Sequence, residues 1–180
     1  MKYDIPGVTA YDLSRIVGED NIRFGSNIII DDFAFIYATA PVTIGNYVHI
    51  GCFASLAGGA TIEIGDFVAL SHGSRILSGS DDFVEWGFGN STVPTKYRNV
   101  KRAPIHIGRF SIVGANSVVL PGVTIGEGAM VGANSTISRD LEPWGVYVAN
   151  GKKVRERDRD RVIRNFEQFC RETGYDPAIR

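Results

Sequence analysis

Cysteine is nearly absent from this 180-residue chain: Cys52 and Cys170 stand far apart without a CxxC partner, which argues against a disulfide framework or a thiolate zinc site. Charge of either sign in excess is also missing. Lys+Arg 19 against Asp+Glu 20 leaves a net charge of -1, so no global positive field draws in nucleic acid or an anionic membrane. Apolar runs are short. The longest, such as Phe33 to Ala38, fall far below the ~20 residues that cross a bilayer, and Met1-Lys2-Tyr3-Asp4 carries no signal-peptide apolar stretch. A cytoplasmic protein with no nucleic-acid partner and no membrane insertion is expected. The length suits one folding unit. Glycine is the exception to this scarcity, 21 of 180 residues against about 7% on average, so many tight turns are required.

The turns have a period. Val42-Thr43-Ile44-Gly45, Thr61-Ile62-Glu63-Ile64-Gly65, Pro104-Ile105-His106-Ile107-Gly108 and Val123-Thr124-Ile125-Gly126 repeat one phrase four times. Between phrases, apolar anchors return every six residues: Ile44, Ile50, Leu56; Ile64, Leu70, Ile76; Ile107, Val113, Val119; Ile125, Val131, Ile137. Phe24, Ile30 and Ile36 form a degenerate first set. A period of six scatters around a helix, whereas a short strand plus a turn consumes about six residues and points alternate side chains inward. Three units close a triangular coil, and stacked coils bury the anchors on one another. The spacing predicts an all-β parallel β-helix of about five coils, with 18 or 20 residues per coil and a two-residue bulge such as Gly58-Gly59 in the longer ones.

The register breaks only between Ile76 and Ile107. An excursion over 78–103 is too long for an idle connection in a compact domain, which makes it the functional suspect. The ends differ from the middle. Thr9 with Asp12, followed by Leu13, Ile16, Val17 and Gly18, predicts a short capped helix. Val162 or Ile163, Phe166, and Phe169 or Cys170 within the charged run Lys152 to Arg171 predict a second helix ending near Gly174, and such helices can cover an exposed last coil. The expected organisation is a helical cap over 1–20, the β-helix over 21–148 and a helical segment over 149–180.

From Asn21 to Arg157 the chain resembles the left-handed β-helix, hexapeptide-repeat acyltransferases. Leu120-Pro121-Gly122-Val123-Thr124-Ile125-Gly126, Gly132-Ala133-Asn134-Ser135 and Glu142-Pro143-Trp144-Gly145-Val146-Tyr147 carry the likeness. It is strongest to the bacterial sugar O- and N-acetyltransferases of surface-polysaccharide (lipopolysaccharide O-antigen) biosynthesis. The resemblance implies left-handed coils, acetyl-CoA as donor, and a homotrimer with active sites in grooves between subunits. Ala149-Asn150-Gly151-Lys152-Lys153 departs from the relatives' Gly-Asn-Pro-Ala-Lys.

Acyl transfer to a hydroxyl or amine requires a held acceptor, a base and donors for the oxyanion. Of the three histidines, His72 lies at a turn in the last coil before the excursion and is the expected general base. Register arithmetic places it in one column with Cys52 and Ala115. Asp81 or Asp82 would orient His72 or bind the acceptor. Cys52 leaves open a route through an acylated thiol. Ala115 and Ala133 are small enough for pantetheine to approach the backbone, and Lys152, Lys153 or Arg155 would meet the cofactor's phosphates. For a sugar or nucleotide-sugar acceptor, Arg98, Lys101 and Arg102 suit a diphosphate, Phe83, Trp86 and Tyr97 suit stacking, and His49 suits an accessory contact. No metal is expected: a carbonic anhydrase on this fold needs three convergent imidazoles, and His49, His72 and His106 include no close pair. A non-catalytic scaffold is the remaining alternative.

Overall fold

The computed structural model describes residues 3–178. Its strands form three parallel sheets, one for each side of a prism. The first side stacks Val8–Ala10, Ile28–Ile30, His49–Ile50, Ala69–Leu70, Ile112–Val113, Met130–Val131 and Gly145–Val148. The second stacks Arg15–Val17, Phe35–Tyr37, Ser55–Ala57, Arg75–Leu77, Val118–Val119 and Thr136–Ile137, and the third Ile22–Phe24, Val42–Ile44, Ile62–Ile64, Ile105–Ile107 and Thr124–Ile125. These make five complete coils, as expected, and a partial sixth whose third side is reduced to the bridge from Ile125 to Leu141.

Every six-residue anchor lies on its counterpart. Ile30 pairs with Ile50, Ile50 with Leu70 and Leu70 with Val113 on the first side; Ile36, Leu56, Ile76 and Val119 continue the second. These anchors are almost wholly excluded from solvent, and each contributes about 1.5–3 kcal/mol by leaving water.

Two expectations about the ends are corrected. The predicted N-terminal helix is absent: residues 8–10 and 15–17 are strands that complete the first coil, and Ala10 and Ile16 join the core. Val8 pairs with Ile28 and Arg15 with Phe35, so the neighbouring coil supplies a ladder that outweighs the local capping signal. At the other end the segment does not begin as helix. Lys152–Glu156 turns back antiparallel on Gly145–Val148, and the helix occupies Arg159–Thr173, capped by Asp158 and ended by Gly174 in the left-handed region.

The helix lies along the side of the prism. Phe166 and Phe169, with Tyr175 beyond the helix, pack edge-on against Phe67, which stacks between Tyr47 at 5.0 Å and Phe110 at 5.4 Å. Those three rings stand one above another at a corner where the backbone is left-handed, φ 56 to 62. Arg157 fixes the entry to the helix by donating Nη1 to the carbonyls of Phe110 and Gly128, and burial pushes its guanidinium pKa down.

Candidate active site

The excursion is a built structure. It leaves the second side at Ser78, whose hydroxyl accepts from the Ala60 amide and donates to the Ala60 carbonyl, and returns where Ala103 donates to the Ser78 carbonyl. Gly79–Ser80 and Lys101–Arg102 pair antiparallel at its base. Gly58 makes this exit possible: a Cβ there would fall 2.1 Å from the Gly79 nitrogen. Asp82, only 7% exposed, accepts the amides of Val84, Glu85, Trp86 and Gly87 at 2.8–3.0 Å and the Asn99 side chain at 3.2 Å. Those backbone donors hold its carboxyl far below the usual carboxylate range. Its oxygens are spent on organising the loop.

Asp81 points elsewhere. It lines a groove of about 450 Å³ with Tyr37, Thr39, Gly58, Gly59, Ser80, Ser91, Arg98, Val100 and Arg102. Arg98 Nη2 donates to Asp81 at 3.0 Å, and Arg98 Nε is buried without a partner. Lys101 is turned away, bound to Glu85 at 2.6 Å, a contact that raises its pKa. Phe83 and Trp86, 90% and 61% exposed, face solvent instead of the groove, and Tyr97 stacks on Phe88. The structure therefore gathers Asp81, Arg98 and Arg102 and leaves the aromatic candidates outside. Tyr37, Thr39 and Ser91 enter with them; Tyr37 and Thr39 come from a coil that sequence spacing gave no reason to select.

His72 occupies the expected column. The Gly73 amide donates to the Cys52 carbonyl, the Asn116 amide to His72 and the Asn134 amide to Ala115, at 2.8–2.9 Å, so Cys52, His72, Ala115 and Ala133 rise along one corner. The His72 side chain is exposed and has no partner among the described residues. No hydrogen bond joins Asp81 to it among the described residues; strand Arg75–Leu77 lies between them along the chain, a span of roughly 10 Å at about 3.3 Å per residue. His49 bonds Asp31 at 3.1 Å on the first side. His106 bonds Glu63 at 2.9 Å in a cleft of about 530 Å³ on the third side.

Near the C-terminal coils, Ala115 and Ala133 lead toward the turn before Lys152. Lys153 is engaged by Glu156 at 2.6 Å, which raises its pKa, and by Glu142 at 3.6 Å. Lys152 and Arg155 are exposed on the returning strand and make no ion pair among the described residues. No group of three His, Cys, Asp or Glu side chains capable of holding a metal occurs among the described residues, nor among them is any helix long and apolar enough to cross a membrane.

Comparison with known proteins agrees with this architecture. The family model described as bacterial transferase hexapeptide (six repeats) matches residues 104–139. A dTDP-4-amino-4,6-dideoxy-D-glucose acyltransferase of Escherichia coli is 33% identical over 82% of this chain and 78% of that protein. The crystal structure of AntD, an N-acyltransferase from Bacillus cereus, in complex with dTDP and 3-hydroxybutyryl-CoA superposes with a TM-score of 0.88 at 32% identity, covering 94% of this chain and 89% of that one. A serine variant of AntD in complex with dTDP-4-amino-4,6-dideoxyglucose and coenzyme A gives 0.87 at 32% identity over 93% and 89%.

Proposed function

Because this chain belongs to the hexapeptide-repeat bacterial transferases, we propose that it moves an acyl group from a coenzyme A thioester to the amino group of a dTDP-linked 4-amino-4,6-dideoxy sugar. One observation carries the reading: the likeness, over most of the chain, to two proteins named for that acceptor or bound to it. In the reaction the sugar ammonium gives up a proton, its nitrogen attacks the thioester carbonyl, the N–C bond forms, the C–S bond breaks, and the second proton that the nitrogen sheds on becoming an amide ends on the departing thiolate.

Asp81 is the carboxylate placed to meet an ammonium and take its proton, since it opens onto the groove while Asp82 is consumed by the loop. Variants of AntD have been made at one serine and at one aspartate ten positions further on; in this chain the only serine and aspartate with that spacing are Ser71 and Asp81. A second reading, His72 as general base, is favoured by its exposed, uncommitted imidazole on the corner that continues through Ala115 and Ala133. Ser71 and His72 sit one corner away from Asp81, so both groups serve one reaction only where two copies lie side by side. A homotrimer provides that arrangement, and two exposed apolar surfaces support it: Phe83, Val84, Trp86 and Phe88 on the excursion, and Leu13, Phe33 and Phe53 on the corner below His72. Coenzyme A fits the small-residue corner, with Lys152 and Arg155 left free for its phosphates.

The test is to incubate the protein with acetyl-CoA and dTDP-4-amino-4,6-dideoxyglucose, following thiol release and product mass. An acetamido product is expected. Absence of turnover, with no binding of either substrate in calorimetry, would favour a non-catalytic scaffold.

A further inference from the structure

The corner that carries Ser71 and His72 differs from its neighbours at one position. Phe33, Phe53, Gly73, Asn116 and Asn134 occupy the left-handed step of successive coils, φ 55 to 70. Phe33 and Phe53 hold theirs by stacking at 5.1 Å, whereas Gly73 has no side chain to pack, and a Cβ there would fall 2.3 Å from Asn116 Oδ1. Glycine leaves the backbone the widest conformational freedom, so this turn lacks the internal restraint of the two below it. The restraint comes from outside. Arg75 Nη1 donates to the carbonyls of Phe53 and Gly73, the latter at 3.1 Å, and so ties two coils together at the corner. Its register partners Ser55 and Val118 make no such side-chain bond among the described residues. Arg75 is exposed and forms no ion pair among the described residues, so the two corner carbonyls are its bonded partners.

We propose that Arg75 is a positioning residue, which holds the Ser71–His72 turn in register with the coil below and so aims both side chains at the donor's thioester. The inference rests on the reading above that the donor lies along this corner, and it adds the residue that fixes the lower end of that path. In this role Arg75 touches no substrate. Hydrogen bonds at an exposed surface exchange readily with water, so their loss weakens the fold little, while a small displacement of reacting groups costs rate steeply. Removing Arg75 therefore falls on turnover and leaves the coils intact. Donation to two carbonyl oxygens needs no planar fork, so an ammonium with three N–H donors can stand in for the guanidinium.

Steady-state kinetics with dTDP-4-amino-4,6-dideoxyglucose on the wild type, Arg75→Ala and Arg75→Lys, with acetyl-CoA and S-acetylpantetheine as alternative donors, test the assignment. Arg75→Ala is expected to lower kcat/KM at least fivefold, by the same factor for both donors and with dTDP affinity unchanged, and Arg75→Lys to recover at least half of the wild-type value. A loss confined to acetyl-CoA makes Arg75 a contact to the nucleotide end of the donor and overturns the positioning role. So does a loss below fivefold, or one matched by an equal loss of dTDP affinity. The imidazole C–H resonances report the turn without any substrate: in Arg75→Ala the His72 signal should broaden or split while those of His49 and His106 stay single. A His72 signal that remains single and sharp overturns the brace. Wild-type protein that turns over neither donor removes the acceptor reading, and the His72 signal then decides the brace alone.

Discussion

Asp81→Asn separates binding from proton transfer. The amide keeps the shape of the carboxylate and still accepts from Arg98 Nη2, now 3.0 Å away, but it cannot take the ammonium proton. Loss of a general base lowers rate typically 10²–10⁴-fold, which at ~1.36 kcal/mol per decade raises the barrier by about 3–5 kcal/mol. The structural effect is far smaller. A hydrogen bond to a charged partner contributes about 1.5–3 kcal/mol, only part of which disappears in the amide, and each kcal/mol moves the melting temperature by about 2–4 °C in a chain of this size. Steady-state kinetics by thiol release, with dTDP affinity measured alongside, should show kcat at least a hundredfold down, affinity within threefold of wild type, and a small thermal shift. His72→Ala in the same assay should retain at least a tenth of wild-type kcat. An Asp81→Asn enzyme keeping a third or more of wild-type kcat refutes the reasoning, and a collapse confined to His72→Ala transfers the base to the histidine.

The remaining predictions probe the loop, the alternative chemistry and the frame. Asp82 has a depressed folded pKa, so its contribution is complete above the ordinary aspartate value and lost only as pH falls through the folded one; hydrogen exchange at Val84 to Gly87 should stay slow at pH 4. Asp82→Asn should accelerate limited proteolysis within residues 83–99 at pH 7 while the β-helix stays intact. Cys52→Ala should turn over normally; a hundredfold loss with both substrates still bound would establish a thioester on the protein. Leu56→Ala, at a fully buried anchor, should cost about 2–5 kcal/mol in denaturant unfolding. Phe166→Ala removes ring contacts to Phe67, Phe110 and Tyr175, each ~0.5–1.5 kcal/mol, and should raise exchange in Arg159–Thr173 without disturbing the coils.

The frame was legible because every anchor obeys one rule: a residue six places on turns the next corner, and one coil later stands above its counterpart. Ala10 and Ile16 obey it too. Thr9 and Asp12 also satisfy a helix cap, however, and only the ladder offered by Ile28 to Ile30 decides between the two. The terminal helix was readable from Phe166 and Cys170, but its berth was not. Tyr47, Phe67 and Phe110 are separated by 20 and 43 residues and take a left-handed backbone that bulky residues seldom adopt.

The site divides along the same line. Repetition alone puts Cys52, His72 and Ala115 on one corner, since backbone register sets that column, and the structure adds Ala133 to it. Nothing periodic links Asp81 to Arg98 or Arg102 to Gly59; those meetings depend on how an irregular segment folds around Asp82. The regular coils also leave little with which to do chemistry, because their strand amides and carbonyls are spent on the coils above and below. The stack is interrupted where Gly58 and Gly79 approach closely, and the groove bearing Asp81, Arg98 and Arg102 opens there. On the function proposed above, the acceptor meets the excursion, and the corner bearing His72 joins it where a neighbouring copy lies alongside.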